Sequence, residues 1–191
     1  MERNMKIPAI ALSLALSLAF NVSATDLPRK AVDIPVMLPD GKQAKPSDYK
    51  GKVVALMFFL TTCPHCQATI KTLNGIQKDL GPKGFQVLAG AMDDGSIPDF
   101  IKRFQPAFPV GHVDQLNAST YMQLSPTVRT FVPFLLFIDR SGNIQSQYTG
   151  GDPFLQDEAN QEKSIRDEVA KYLTKTRAGR PVSHAKAPAS L

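Results

Sequence analysis

The chain has 191 residues, 43% hydrophobic and 20% charged, which fits one globular domain with appended segments. Its net charge of +5 is concentrated at the two ends, since residues 1–24 carry a net +1 and residues 177–191 a net +3. Residues 25–176 therefore keep only +1 of that total, which excludes a strongly basic face for nucleic acid. We expect no nucleic-acid partner.

The first 24 residues have the pattern of a secretory signal peptide. Arg3 and Lys6 form a positive region, residues 7–20 are apolar, and the segment ends in Ala24, a small residue of the kind that signal peptidase requires. Cleavage there would leave Thr25 as the mature N-terminus. An uncleaved membrane anchor is the alternative, although 19 uncharged residues barely span a bilayer. Either way we expect the domain outside the cytoplasm, periplasmic or secreted, where disulfides persist.

The rest of the chain alternates between strand-like and helix-like patterns. Apolar runs predict strands, apolar residues three or four apart predict helices, and Gly and Pro mark turns. In chain order the predicted elements are a short strand at 32–37, a turn at 38–41, a helical turn at 46–49, a strand at 53–60, a helix from Pro64 to about Leu80, a strand at 85–92, a helix at 97–104, a short strand at 110–113, a short helix at 118–124, a loop at 125–132, a hairpin of strands 134–139 and 144–149, and a final helix at 157–176.

This order predicts an α/β fold. Alternating strands and helices followed by a hairpin indicate a mixed β-sheet flanked by helices, in a single domain covering residues 25–176. Residues 177–191 have no apolar periodicity and contain two prolines, so we expect a disordered basic tail.

The only two cysteines of the chain, Cys63 and Cys66, come directly after the apolar strand at 53–60. Pro64 suits the first turn of a helix, so Cys63 is expected at the helix N-terminus. The partial positive charge there stabilises a thiolate, and Cys66 lies one turn further on, able to resolve a mixed disulfide. The spacing therefore predicts a redox-active dithiol that needs neither metal nor cofactor.

Other interpretations of the pair carry less weight. A structural disulfide that closes so short a loop constrains the unfolded chain little. A zinc site needs two further ligands from only three histidines, and a c-type haem site needs a histidine where Gln67 stands. A copper chaperone that adds His112 to the two thiols remains as a binding-module alternative.

Residues from about 31 to 175 resemble the thioredoxin-like family, in particular its extracytoplasmic TlpA/ResA-like branch. Besides the cysteine pair, the matching segments in order are residues 38–42 (Leu-Pro-Asp-Gly-Lys), 47–54 (Ser-Asp-Tyr-Lys-Gly-Lys-Val-Val) and 132–144 (Val-Pro-Phe-Leu-Leu-Phe-Ile-Asp-Arg-Ser-Gly-Asn-Ile). The resemblance implies a thioredoxin-like fold with an N-terminal hairpin extension. It also implies a thiol-disulfide oxidoreductase with protein thiols and disulfides as substrates, and a redox partner in the membrane or periplasm.

The resemblance implies roles for single residues as well. Cys63 is expected to be the exposed nucleophile and Cys66 the buried resolving thiol. Pro133 is expected to be cis and to lie beside the pair. The backbone of Val132 is then expected to pair with a substrate peptide, a form of strand addition.

Pro64-His65 is the dipeptide found between the cysteines of DsbA-type oxidants in the same superfamily. We expect His65 to stabilise the thiolate of Cys63 by hydrogen bond or charge. A stabilised reduced form makes a dithiol a stronger oxidant.

The chain departs from the family pattern at three positions, two of which bear on the direction of exchange. Thr62 stands where a tryptophan usually precedes the first cysteine. Met57 and Thr69 occupy positions where thioredoxin and some ResA-like reductases carry a carboxylate that helps to deprotonate the resolving thiol, here Cys66. We therefore expect an oxidase or isomerase, with a reductase, for example in cytochrome c maturation, as the alternative.

Overall fold

The structure is a computed structural model that describes residues 26–93, 95–125 and 127–174. The signal peptide predicted at 1–24 and the tail predicted at 177–191 lie outside the described residues. Within these ranges no helix is both long enough and apolar enough to cross a membrane.

Eight strands and five α-helices are present in the described part of the chain. The strands are β1 (Arg29–Lys30), β2 (Val36–Met37), β3 (Gln43–Ala44), β4 (Val53–Phe59), β5 (Phe85–Ala91), β6 (Val110–His112), β7 (Phe134–Ile138) and β8 (Asn143–Tyr148). The helices are α1 (Pro64–Leu80), α2 (Ile97–Phe104), α3 (Gln115–Tyr121), α4 (Pro153–Gln156) and α5 (Gln161–Thr174), with 3-10 turns at Pro46–Tyr49 and Gly81–Lys83.

All eight strands form one mixed sheet in the order β1-β8-β7-β4-β5-β6-β2-β3. Strands β4, β5 and β6 are parallel, as expected for strands joined through helices, whereas β7 pairs antiparallel with β4 and continues into β8 as a hairpin. The β2–β3 hairpin extends the far edge, with Gly41 at φ 82° in its turn. The α/β fold and the N-terminal hairpin are therefore confirmed.

Strand β4 is buried on both faces, which explains its continuous apolar sequence. Val53, Ala55, Met57 and Phe59 face the cluster built on α1, α2 and α5. Val54, Leu56 and Phe58 face the opposite cluster, which includes α3 and β7 residues. The carboxyl end of this central strand leads directly into the cysteine pair.

Two predicted helices have different boundaries in the structure. Helix α3 begins at Gln115 rather than Ala118, because the carboxylate of Asp114 accepts a hydrogen bond from the N–H of Asn117 at 2.9 Å and caps the helix there. The final helix predicted at 157–176 corresponds to α5, which begins at Gln161, and a short helix that was not predicted, α4, precedes it. The side chain of Asp157 bonds to Asn160 in the turn between them.

Candidate active site

The cysteine pair lies at the start of α1, as predicted. Cys63 is the N-cap residue, in an extended conformation, and Pro64 occupies the first helical turn. The Sγ of Cys63 accepts a hydrogen bond from the backbone N–H of Cys66 at 3.3 Å, and both cysteines are free thiols. Helix α1 thus directs one of its unpaired N–H groups at the sulfur of Cys63, an arrangement that stabilises a thiolate.

The two thiols have different surroundings. Cys63 is half-buried at the surface, whereas Cys66 is completely buried among the residues that join α1 to the sheet. Burial, and after it the hydrogen bond with Cys63, raises the pKa of the Cys66 thiol far above its ordinary value. Cys66 is therefore held as a neutral thiol.

Met57 and Thr69 are the two positions at which the family pattern predicts a carboxylate. Met57 is fully buried in β4. Thr69, also buried, donates its hydroxyl to the carbonyl of His65 at 3.0 Å and accepts a hydrogen bond from Gln161 of α5 at 3.3 Å. Among the described residues, the groups with the largest effect on the pKa of the Cys66 thiol are Cys63 and nearby backbone, none of which is a carboxylate.

His65 points across the site towards the turn between α4 and α5. Its Nδ1 lies 3.4 Å from Oε1 of Glu158, and its Nε2 is buried without a hydrogen-bond partner among the described residues. No hydrogen bond joins the imidazole to Cys63 in this part of the chain. The expected influence of His65 on the thiolate therefore stays a prediction, as does a catalytic role for Pro64.

The segment before β7 forms the opposite side of the site. The Val132–Pro133 peptide bond is cis, as predicted, and Pro133 is buried. Because Phe134 pairs with Phe58 in the sheet, this segment lies beside the end of β4 that leads to the cysteines. Neither the N–H nor the C=O of Val132 is hydrogen-bonded within the described ranges.

An open cleft lies between His65 and this segment. Its lining includes His65, Phe131, Val132, Gly150 and Gln156. Phe131 is 50% exposed, although it is a large aromatic residue. Gly150 donates its N–H to the carbonyl of Phe131 at 2.6 Å, and a Cβ at this position would lie 2.1 Å from the carbonyl oxygen of Val132. Position 150 in the cleft wall therefore requires glycine, which has no side chain.

Sequence reasoning missed three residues at this site: Gly150, Glu158 and Asp93, whose carboxylate accepts hydrogen bonds from Thr61, two residues before Cys63. Asp93 follows the end of β5, and the carboxyl ends of neighbouring parallel strands meet at one edge, so its position was a usable signal. Glu158 is 93 residues from its partner His65. No local pattern in the sequence connects such residues.

His112 lies on β6, where it pairs with Met37 of the N-terminal hairpin. In the described part of the chain, no three His, Cys, Asp or Glu side chains come together in a way that could hold a metal ion. The structure therefore does not bring His112 to the cysteines as the third ligand that a copper chaperone would need.

Comparison with known proteins identifies relatives over most of the chain. Residues 4–165 match the Redoxin family. The thiol-disulfide oxidoreductase ResA of Geobacillus kaustophilus is 26% identical over 159 residues, covering 78% of this chain and 88% of the relative.

Solved structures agree with this assignment. One solved structure is that of a Chlorobium tepidum protein named thiol:disulfide interchange protein DsbE. It is 26% identical to this chain, with a TM-score of 0.62, and the match covers 76% of this chain and 99% of that protein. A thiol:disulfide interchange protein from a Bacteroides species shares the fold at 15% identity, with a TM-score of 0.61 over 82% of this chain and 96% of that one. The chain therefore belongs to the Redoxin family and is a thiol-disulfide oxidoreductase of thioredoxin-like fold with ResA- and DsbE-like relatives.

Proposed function

We propose that Cys63 is the nucleophile of this oxidoreductase and Cys66 its resolving thiol. The observation that carries the proposal is the contrast between a half-buried sulfur at the N-terminus of α1 and a fully buried one a turn later. The thiolate of Cys63 attacks one sulfur of a substrate disulfide, forms a mixed disulfide and releases the other sulfur as a thiolate. Cys66 then attacks the Sγ of Cys63, the substrate sulfur leaves as a thiolate that takes up the proton lost by Cys66, and the pair is left oxidised.

We propose that the substrate is an extended segment of a protein that binds along Val132 and Pro133. The unpaired N–H and C=O of Val132 support this, because an extended peptide would pair with both by strand addition. The half-exposed ring of Phe131 in the adjacent cleft supports an apolar side chain next to the reacting cysteine of the substrate.

The raised pKa of Cys66 supports isomerisation over reduction, whereas oxidation of a substrate, in which Cys66 is the leaving group, is supported only by the Pro64-His65 dipeptide. The high pKa of Cys66 makes its thiolate scarce, so a mixed disulfide on Cys63 persists. A persistent mixed disulfide gives a second thiol of the substrate time to attack its own sulfur, which rearranges the substrate disulfides and returns the thiolate of Cys63 without using Cys66. The Pro64-His65 dipeptide of DsbA-type oxidants supports a strongly oxidising pair as well.

Reduction is the second candidate, because the likeness to a ResA protein extends over 78% of the chain. The equilibrium potential of the Cys63/Cys66 pair against glutathione separates the candidates. A value near that of thioredoxin, about −270 mV, would favour reduction, and one near that of DsbA, about −120 mV, would favour oxidation.

Cysteine variants test the assignment directly. A Cys63→Ser variant should lose all thiol exchange, and a Cys66→Ser variant should accumulate mixed disulfides that are detectable by mass. If isomerisation is the activity, Cys66→Ser should still rearrange a scrambled multi-disulfide protein while it loses catalytic reduction of insulin. Thiol exchange by the Cys63→Ser chain would contradict the assignment.

We propose an extracytoplasmic location, periplasmic or secreted, on the basis of the signal-like pattern in residues 1–24 and of the disulfide chemistry. The redox partner would then be a membrane or periplasmic protein. N-terminal sequencing of the exported protein should begin at Thr25, and a protein retained in the cytoplasm with Met1 intact would contradict this location.

A further inference from the structure

A carboxylate outside the Cys-x-x-Cys segment binds the chain just before it. Asp93 lies two residues after the end of β5. Its Oδ1 accepts a hydrogen bond from the backbone N–H of Thr61 at 3.0 Å, and its Oδ2 accepts from the same N–H at 3.1 Å and from the Thr61 hydroxyl at 2.6 Å. Hydrogen bonds to an ionised acceptor are about twice as strong as neutral ones.

Thr61 is held on its other side as well. Its carbonyl accepts a hydrogen bond from the side-chain amide of Gln67, in the second turn of α1, at 2.8 Å. The loop after β5 closes over the hydroxyl at Gly95, where a Cβ would lie 2.1 Å from the Oγ1 of Thr61. Thr61 is 9% exposed, so these protein groups take the place of water around it.

The fixed residue is two positions before the nucleophile. The N–H of Cys63 donates to the carbonyl of Leu60 at 3.2 Å, so Thr61 lies inside the turn that joins β4 to α1. A disulfide needs the two Cβ atoms within a narrow range, about 3.5–4.5 Å. The position of this turn relative to α1 therefore sets how readily the sulfurs of Cys63 and Cys66 form a bond.

We propose that Asp93 is a positioning residue for the Cys63/Cys66 dithiol, which it acts on by clamping Thr61. The inference rests on the proposed exchange at Cys63 and extends it to a residue that touches neither sulfur. The clamp holds the two thiols in a geometry close to that of the disulfide, and this raises their effective concentration towards each other. Loss of the clamp shifts the pair towards the dithiol and slows the attack of Cys66 on a mixed disulfide.

Removal of the negative charge of Asp93 also shifts the pair towards the dithiol, because it favours the thiolate of Cys63 in the reduced form. An Asp93→Asn variant separates the two effects. The asparagine keeps an oxygen that accepts from Thr61 but lacks the charge. If positioning dominates, Asp93→Asn should fall between the wild type and Asp93→Ala, whereas a pure charge effect would make the two variants equal.

The test is the equilibrium constant for oxidation of the pair by glutathione, measured by alkylation and mass across a series of glutathione ratios. We expect Asp93→Ala to lower this constant roughly three- to tenfold. We also expect it to slow, by a similar factor, the Cys66-dependent release of a preformed mixed disulfide of glutathione with Cys63. Asp114→Ala is the matched control, because it removes the carboxylate that caps α3 and accepts from Asn117 at 2.9 Å without contacting Thr61.

The outcomes separate the alternatives. If Asp93→Ala lowers the melting temperature as much as Asp114→Ala does but keeps the wild-type equilibrium constant, Asp93 is only a turn cap and the proposal is wrong. If Asp93→Asn and Asp93→Ala have equal equilibrium constants for oxidation, the hydrogen bonds to Thr61 do not set this constant and the proposal is wrong. Thr61→Val, which removes only the hydroxyl donor, keeps the test valid if Asp93→Ala does not fold, and we expect a smaller shift in the same direction.

Failure of the proposed function has a different signature. A wild-type chain that exchanges no thiol with glutathione would overturn both the function and this role of Asp93. An active wild type with an unchanged constant in Asp93→Ala would overturn the role of Asp93 alone.

Discussion

Cys63 and Cys66 are separated by two residues, yet the fold gives them opposite properties. The sulfur of Cys63 is half-buried and accepts a backbone N–H at the start of α1. The sulfur of Cys66 is buried in the core between α1 and the sheet, and burial raises the pKa of its thiol. Since Met57 and Thr69 offer no carboxylate, the proton of Cys66 has no nearby acceptor on these side chains. This asymmetry supports the proposed roles of Cys63 as the nucleophile and Cys66 as the resolving thiol.

The raised pKa of Cys66 makes the stability of the reduced protein depend on pH. An unfolded cysteine loses its proton near pH 8.5, whereas the folded Cys66 keeps it to a higher pH. The contribution is therefore fully present below about pH 8.5 and is lost as the pH rises, by up to about 1.4 kcal/mol per pH unit.

Urea unfolding of the reduced chain between pH 7 and 10 measures this loss against a Cys66→Ala variant. The two curves of unfolding free energy should converge above about pH 8.5, because only the wild type has a buried thiol at this position. The comparison uses the change of each unfolding free energy with pH, so the pH-independent destabilisation caused by Cys66→Ala does not affect it. Parallel curves over the whole range would contradict the prediction.

At the scale of elements, several chain segments form the site, rather than one motif. The end of β4 and the start of α1 carry the cysteines, and the segment before β7 faces them because Phe134 pairs with Phe58. The loop after β8 supports that segment through the hydrogen bond from Gly150 to the carbonyl of Phe131. Each segment is held in place by its attachment to the rigid sheet.

Substitutions at the two glycines after β8, Gly150 and Gly151, test whether the close approach at Gly150 holds the cleft wall in place. A Gly150→Ala substitution would place a Cβ 2.1 Å from the carbonyl oxygen of Val132, so the segment at 131–132 must move. We expect a fall of at least about tenfold in kcat/KM for a peptide disulfide, because misplaced binding groups are costly to catalysis.

Gly151→Ala is the matched control for this prediction. A Cβ at this neighbouring position would make only ordinary contacts, 3.5 Å from Phe131 and 3.7 Å from Thr149. Its kcat/KM should stay within about twofold of the wild type. Equal losses in the two variants would show that the close approach at Gly150 does not shape the cleft.

At the scale of the whole molecule, the buried core and the proposed substrate cleft lie in different parts of the fold. The sheet is covered on both faces, and the buried residues of β4 alternate between the two clusters. Phe58 is completely buried and lies edge-to-face with Tyr121, with ring centroids 5.9 Å apart. Phe131, which lies in the cleft with Arg129 over its ring, is half exposed and contributes little buried area.

Two phenylalanine substitutions should therefore have opposite effects. Phe58→Ala should lower the free energy of unfolding by about 3–5 kcal/mol, because it leaves a cavity in the core. Phe131→Ala should change it by less than about 0.5 kcal/mol. Phe131→Ala should instead raise KM several-fold for an apolar peptide disulfide, with a smaller rise for oxidised glutathione. Chemical unfolding and steady-state kinetics measure the two effects, and an equal rise for both substrates would exclude a peptide-binding role for Phe131.

Local sequence was sufficient for the parts of the protein that depend on neighbours in the chain. The apolar run at β4 predicted a strand buried on both faces, and Pro64 predicted where α1 begins. The predicted starts of α3 and α5 were wrong, because they depend on the carboxylate of Asp114, which caps α3, and on that of Asp157, which accepts hydrogen bonds from Asn160 in the turn before α5. Such caps compete on nearly equal terms with extending the helix by one turn.

The sequence by itself predicted a redox-active cysteine pair and determined the α/β order around it and, through the family resemblance, the cis Val132–Pro133 bond. Only the tertiary structure decided which other residues surround the pair. Asp93 reaches Thr61 across 32 positions, and Glu158 reaches His65 across 93. These contacts form because the carboxyl ends of β4 and β5 and the turn after α4 meet at one edge of the sheet. The strand order indicates only that Asp93 lies at this edge, and nothing in the sequence indicates Glu158, so packing of the whole domain decides both contacts.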